Sequence, residues 1–481
     1  MHENVTPPPP GQSALYKARE PIYPKRVKGK FRTIKWGVLV FALAVYYILP
    51  WIRWDRGPNA PDQAVLADFA GGRFYFFFLE IWPQEIYYIT GLLILASLAL
   101  FLVTSLFGRV WCGYACPQTV WTDLFIAVER LFEGDRNARI KLDRAPLSFN
   151  KAWRKTGKHI VWVLIAFATG GALILYYHDA PTIFATFFTG SAPPSAYIFA
   201  SILTFTTYAL AGTMREQVCT YLCPWPRIQA ALTDEEALNV TYRWDRGEPR
   251  GAHKKNASWD GRGDCIDCNA CVVACPVGVD IRHGAQLECI HCALCIDACD
   301  TIMERVGRPT GLIGYDTDKN VQARAKGQPT EYRLLRPRVI LYSVLIVVVS
   351  ALMVVGLSTR ATFELNVIKD RSPPFVQLSN GDIRNGYTIK LVNKRGVDRE
   401  VELRISGINN VSSEIIGNSE NDDTVIMSAE HVDRFRILLT SPKPEKYAST
   451  QKLLIEAIDV ATGERQSNRI FFAMPKDNEN D

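Results

Sequence analysis

Eight of the twelve cysteines in this chain fall between Cys265 and Cys299, in two runs of one spacing. The first reads C-I-D-C-N-A-C-V-V-A-C-P and the second C-I-H-C-A-L-C-I-D-A-C-D, each a C-x2-C-x2-C-x3-C pattern. Three thiolates so closely spaced can fold round one face of a cube, while a fourth must come from outside the tight turn. Bacterial two-cluster ferredoxins use this spacing, and there the fourth Cys ligates the other cluster. The expectation is one [4Fe–4S] cluster on Cys265, Cys268, Cys271 and Cys299, and a second on Cys289, Cys292, Cys295 and Cys275. Pro276 follows the first run as the pattern requires, whereas Asp300 stands where the second would carry Pro. Structural zinc sites also use C-x2-C pairs. Zinc does not call for a third Cys two residues on and a fourth three further, twice over. Two clusters close together make an electron relay.

At 481 residues the chain exceeds one ordinary core, and its 48% apolar content includes several long charge-free runs. That places it among multidomain membrane proteins. The net charge of +6 says little by itself; its distribution says more. All cysteines lie between Cys112 and Cys299, which fits thiolate ligands in a reducing compartment and not a disulfide scaffold. Residues 1–35, with Pro7 to Pro10 and a basic stretch after Lys17, read as a disordered cytoplasmic arm. Uncharged runs predict membrane spans at Trp36–Ile52, Ile86–Gly108, Ile160–Tyr177, Ser195–Met214 and Val339–Thr359. Pro193-Pro194 bars an earlier start to the fourth, leaving a short interfacial segment before it.

Lys and Arg excess puts the arm, the loop after span two and the stretch from Arg215 to Arg338 inside, and the tail outside. The expected organisation is a basic arm (1–35), a membrane domain with spans one to four (36–230), and a cytoplasmic region (231–338) holding the ferredoxin at 260–305. A fifth span (339–359) and a periplasmic β-sandwich (360–481) complete it. The tail alternates apolar and polar residues at Tyr387–Val392, Val401–Ile405 and Arg434–Leu439, with turn signals at Asn380-Gly381, Asn385-Gly386 and Thr462-Gly463. Such strands in about 120 residues suggest an immunoglobulin-like sandwich. It carries no cysteine and reads as a docking module.

A second constellation repeats at the inner ends of spans two and four: V-W-C-G-Y-A-C-P at Cys112 and Cys116, and Q-V-C-T-Y-L-C-P at Cys219 and Cys223. Residues four apart share a helix face, so each C-x-Y-x-C-P copy is expected to present two sulfurs together. Pro117 and Pro224 are expected to end or kink the helix just beyond. Four converging thiolates favour Cu(I), zinc or a further iron–sulfur cluster, or could cycle between dithiol and disulfide. Packing as small hydrophobes is the plain alternative, and the duplication argues against it.

Other candidates have ordinary explanations. His291 can bond backbone or tune a cluster; His159 and His178 flank span three; Met214 is an apolar helix residue; Tyr114 and Tyr221 read as interfacial anchors. The basic loops follow the inside-positive bias and do not imply nucleic acid. No Gly-rich phosphate loop or nucleophile–His–acid arrangement stands out in the sequence.

On the paired C-x3-C-P motifs, the two-cluster insert before the last span and the cysteine-free tail, the chain resembles cytochrome c oxidase accessory proteins of the CcoG/FixG/RdxA type. Membrane polyferredoxins of the NapH and NosR kinds share the first two features but not the tail. The resemblance implies assistance to cbb3-type oxidase assembly by reduction of Cu(II) to Cu(I). Copper would then fall on Cys112, Cys116, Cys219 and Cys223, and electron supply on the eight ferredoxin cysteines. Implied partners are oxidase assembly factors or a copper chaperone or transporter, a cytoplasmic electron donor, the lipid membrane and, as an open option, a second copy. The alternatives are a conduit to a quinone or periplasmic reductase without copper, and an assembly scaffold whose clusters are structural or sensory.

Overall fold

The computed structural model describes residues 21–58, 60–253, 258–408, 410–416, 423–442 and 450–475. The Pro7–Pro10 run and the rest of the arm before residue 21 lie outside the described residues. Two compact units are present: residues 1–52 with 65–351, and residues 53–64 with 352–481.

In the first unit, helix α1 (Lys30–Ile48) precedes a small antiparallel meander, β1 (Val65–Asp68), β2 (Arg73–Phe76) and β3 (Leu79–Ile81). Helices α2 (Tyr87–Phe107), α3 (Val110–Tyr114), α4 (Pro117–Glu133), α5 (Arg136–Arg144) and α6 (Phe149–Ile174) follow. Next come α7 (Ala180–Thr189), α8 (Pro194–Thr207) and α9 (Trp225–Leu232). Strand β4 (Asn239–Tyr242) pairs antiparallel with β5 (Ile313–Asp316), and between them lie α10 (Trp244–Gly247), α11 (Ala270–Ala274) and α12 (Leu294–Arg305). Helices α13 (Asp318–Ala325) and α14 (Pro337–Ser358) complete the helical series.

Five helices are long and apolar enough to cross a membrane: Lys30–Trp51, Pro83–Phe107, Phe149–Ile174, Pro194–Met214 and Pro337–Ser358. Two of them start well before the uncharged runs, and charged side chains on the added turns are paired. Arg32 forms a 2.9 Å ion pair with Asp123, and Lys158 pairs with Glu133 at 2.8 Å. The arm from Pro21 onward is therefore ordered, contrary to the disordered reading. The Lys25 N–H donates to the Val273 carbonyl at 2.9 Å, and the Tyr23 hydroxyl donates to Asp143 at 2.8 Å. Asp179 caps α7, and Gly190 ends it in the left-handed region (φ 79°). Helix α8 opens with Pro194 at its first position and passes into a π-helical turn, Tyr208–Met214. Within that turn, a Cβ on Gly212 would lie 3.1 Å from the Trp162 ring and 3.2 Å from Phe125, so only a small residue lets the turn seat there.

The second unit is a two-sheet sandwich built from β6 (Phe363–Lys369), β7 (Val376–Gln377), β8 (Ile383–Asn393), β9 (Arg399–Ser406) and β10 (Ser412–Ile416), followed by β11 (Thr424–Met427), β12 (Val432–Ser441), β13 (Thr450–Asp459) and β14 (Arg465–Ala473). One sheet runs β10-β12-β8-β6 with β7 on β8, and the other β11-β9-β13-β14. Alternation along β8 turns Ile383, Tyr387, Ile389 and Leu391 into a core shared with Ile437, Leu439, Ile455 and Phe472, all fully buried. Asn380-Gly381 and Thr462-Gly463 are turns, with the glycines at φ 92° and 71°. Asn385-Gly386 is not. Both residues lie inside β8, and the buried Asn385 side chain exchanges hydrogen bonds with the Ala473 backbone at 2.9 and 3.0 Å. A buried asparagine that satisfies a neighbouring strand looks like a turn signal when only the sequence is seen.

Candidate metal centre

The two cysteine runs fold as near copies. In each, the residues on either side of the second Cys adopt positive φ: Asp267 (53°) and Asn269 (56°), then His291 (53°) and Ala293 (60°). None is glycine, and the left-handed conformation costs such residues roughly 1–2 kcal/mol. Backbone of this alternating hand makes a concave nest of N–H groups suited to an anion, a feature of iron–sulfur sites. Asn269 and Ala293 then open α11 and α12, which pack on each other.

The runs part after the fourth Cys. Helix α11 ends at Ala274 with Cys275 as its C-cap, and Pro276 follows in the connecting loop. Helix α12 continues through Cys299 to Arg305, so proline at 300 would break it. Asp300 instead accepts the Gly311 N–H at 2.7 Å and ties the next loop to the helix.

Burial pushes the thiols of Cys271 and Cys275 up to about 11 and that of Cys289 up to about 12. Cys299 is raised by burial first, then by Cys271, Asp300, Cys265 and Cys268, which are first-run neighbours apart from Asp300. Cys295 is raised by burial, then by Cys292, Cys289, Cys275 and Cys271. Each fourth cysteine thus lies among the cysteines of the opposite run. Among the described residues no three His, Cys, Asp or Glu side chains converge closely enough for a single metal ion. Tetrahedral zinc would need such convergence, whereas a cubane holds its four thiolates further apart. Nests, buried thiols and crossed neighbours fit cubane clusters. Thiols held protonated must lose their protons on loading.

The two C-x-Y-x-C-P copies sit at chain breaks and not on continuous helices as expected. Cys112 lies in the short α3, while Cys116 is extended (ψ 129°) and Pro117 starts α4. Cys219 lies in a π-helical turn, Val218–Leu222, and Cys223 is extended (ψ 121°) before Pro224. Pro117 is the first residue of α4 and Pro224 the N-cap residue of α9, so each proline leads into the following helix instead of ending the preceding one. Burial, then Cys116, Cys219 and Cys223 against the opposing Arg109, push Cys112 up to about 12. Burial, Cys116, Cys223 and Glu216 push Cys219 up to about 11. The four thiols share one neighbourhood. It is closed at one end and open at the other, since Cys223 is exposed. The Cys112 thiol donates to Gln229 Oε1 at 3.3 Å, which links the first copy to α9 beyond the second. Gln118 donates to the carbonyls of Leu210 (2.8 Å) and Arg215 (3.2 Å), acceptors at the irregular end of span four.

The closed end abuts the second ferredoxin run. Cys112 packs beside Ile290, Cys292 and Leu294. The buried Arg109 donates its backbone N–H to His291 Nδ1 (3.1 Å), and its guanidinium to the carbonyls of Cys289 (3.3 Å), Leu287 and Pro226 (2.5 Å). Burial, then Arg109, push His291 down to about 4, so the imidazole is neutral and free to accept. Tyr315 donates its hydroxyl to the His291 carbonyl at 2.9 Å and lies 3.5 Å from the Tyr114 hydroxyl. Tyr114 is thus buried in this junction and does not serve as an interfacial anchor, while Tyr221 is exposed. His159 lies within the third candidate span and contacts the Tyr208 hydroxyl at 2.9 Å.

Sequence reasoning missed Arg109, Gly113, Gln229, Asp297 and Tyr315. One signal was visible for Gly113: the first copy has glycine where the second has Thr220.

A family described as a 4Fe-4S dicluster domain matches residues 214–318, one described as a 4Fe-4S binding domain matches 89–134, and the Ig-like fold at the C-terminus of FixG matches 353–475. "Nitrogen fixation protein FixG" of Rhizobium meliloti is 47% identical over 96% of this chain and 94% of its own. "Protein RdxB" of Cereibacter sphaeroides is 48% identical over 97% and 99%, and "Protein RdxA" of the same organism 50% over 89% and 91%. Among solved structures, a FixG-related protein from Vibrio parahaemolyticus aligns with 24% of this chain and 99% of its own, at 21% identity and a TM-score of 0.21.

Proposed function

The chain belongs to the FixG/RdxA family of membrane iron–sulfur electron-transfer proteins, and from that premise we propose that it reduces Cu(II) to Cu(I) at Cys112, Cys116, Cys219 and Cys223. The copper so reduced serves assembly of a cbb3-type cytochrome c oxidase. The observation that supports this reading most is the seating of Cys112 against Ile290 and Cys292 of the second run. When bound, the two clusters supply single electrons at low potential.

The residues of the chain do the rest. The cysteines of the two runs hold the electron store, and Arg109 and Tyr315 fix the second run against α3. Copper is the substrate. Thiolates hold Cu(I) better than Cu(II), so a pair of them favours the one-electron step in which Cu(II) becomes Cu(I). The exposed Cys223 offers an entry. The same reading puts the basic arm, loop and ferredoxin on the cytoplasmic side and the sandwich outside, with the Lys and Arg distribution as its support.

The test is a variant lacking Cys112 and Cys116. It should keep both cluster spectra and lose cupric reduction; an unchanged reduction rate removes copper chemistry from these thiols. A second reading is a third cubane on the four thiols, favoured by the match of a 4Fe-4S binding domain family over residues 89–134, which include Cys112 and Cys116. Iron analysis separates the two, with two clusters per chain under the first reading and three under the second.

A further inference from the structure

The two C-x-Y-x-C-P copies are not equivalent, and the difference lies between their cysteines. A Cβ added to Gly113 would fall 2.8 Å from the Ile290 carbonyl oxygen, 3.0 Å from Cys292 Cα and 3.0 Å from the His291 carbonyl oxygen. All three are backbone atoms of the loop that carries the second run, held in place by Arg109 and Tyr315, so none can swing aside as a side-chain tip would. The matching residue of the second copy carries a side chain: Thr220, whose hydroxyl donates to the Glu216 carbonyl of its own turn at 3.0 Å.

We propose that Gly113 is a positioning residue: by lacking a side chain, it sets the gap between the second run and the Cys112 thiol, making the first copy the electron-receiving end of the thiol group and the second, with exposed Cys223, its metal-receiving end. The inference rests on the cupric-reductase reading. One electron leaves the reduced chain and one Cu(II) becomes Cu(I), with no other co-reactant.

The test uses the full-length protein, purified without oxygen, as wild type, Gly113→Ala and Tyr315→Phe. The alanine wedges the gap open. The phenylalanine adds no volume and releases the hydrogen bond holding the His291 carbonyl, together with the longer contact to the Tyr114 hydroxyl. Three quantities are read: iron content with the electron paramagnetic resonance spectrum of the reduced protein, the rate of reoxidation by Cu(II), and the rate at which maleimide labels Cys112. The expected result is an intact spectrum in both variants, reoxidation slowed at least several-fold in Gly113→Ala and less in Tyr315→Phe, and faster Cys112 labelling in both. Unchanged reoxidation and labelling overturn the inference. Should Gly113→Ala lose its iron, Tyr315→Phe decides alone by the same criteria. If wild type is not reoxidised by Cu(II), the cupric-reductase reading fails, and the labelling comparison still reports whether Gly113 sets the gap.

Discussion

Asp297, between Cys295 and Cys299 on α12, is tied to the first membrane helix. Its carboxylate accepts the N–H groups of Arg32 (2.7 Å) and Phe31 (3.2 Å), the first-turn donors of α1 that no intrahelical carbonyl can satisfy. The ferredoxin thus supplies the N-terminal cap of a membrane span, and the basic arm is held between them. Replacing Asp297 by Ala removes the cap, for which about 1 kcal/mol is typical. It also leaves buried donors beside the lost charge. Bonds to a charged group are worth roughly 1.5–3 kcal/mol. Because both share one carboxylate, we expect about 2–4 kcal/mol together and not their sum.

At about 1.4 kcal/mol per factor of ten, local opening of the first turn of α1 should rise roughly 30-fold or more. Hydrogen exchange of the peptide containing Phe31 and Arg32, measured by mass spectrometry, reads this directly. Asp297→Asn, which keeps an acceptor but not the charge, should fall between. Gly29→Ala attacks the same contact from the other side, since its Cβ would clash with the Asp297 carboxylate. Exchange unchanged in Asp297→Ala would refute the capping argument.

Asp300→Pro restores the residue that the ferredoxin pattern expects, yet it should cost about 3 kcal/mol or more by breaking α12, and the purified variant should be short of iron; a full complement would contradict the helix argument. Cys299→Ser should reproduce the spectrum of Cys268→Ser, a first-run variant, and not that of Cys292→Ser; the opposite match would end the crossed ligation. In the sandwich, burial raises the Asp459 carboxyl, but the Thr462 and Ala461 N–H groups, the Thr462 side chain and Arg399 outweigh it and hold it below the ordinary carboxylate range. Its contribution to stability is therefore full above the unfolded value near 3.9 and fades as pH falls through the lower folded value. Loss of the infrared β-strand signal on acidification should depend less on pH in Asp459→Asn, and an identical profile would dismiss this carboxylate.

The ferredoxin was legible because cluster chemistry fixes cysteine spacing whatever surrounds it. Strands such as Tyr387–Val392 were legible because one buried face imposes period two. Helix starts were not. Arg32 and Lys158 read as charges that should lie outside a span, and Asp123, Glu129 and Glu133, distant in sequence, allow them inside. Asp300 looked like a lapse from the pattern because nothing local says that α12 must continue. The breaks at Cys116 and Cys223 depend on where α4 and α9 pack, so a helical spacing of four suggested a continuous helix that tertiary structure replaced.

Under the proposed function, electrons stored on clusters held by the eight ferredoxin cysteines reach Cu(II) at the membrane-edge thiols. The most direct measurement is an oxygen-free titration of the reduced full-length protein with Cu(II), following cluster absorbance and trapped Cu(I) together. One Cu(I) should appear for each cluster reoxidised; clusters that stay reduced with excess Cu(II) present would rule out cupric reduction by this chain.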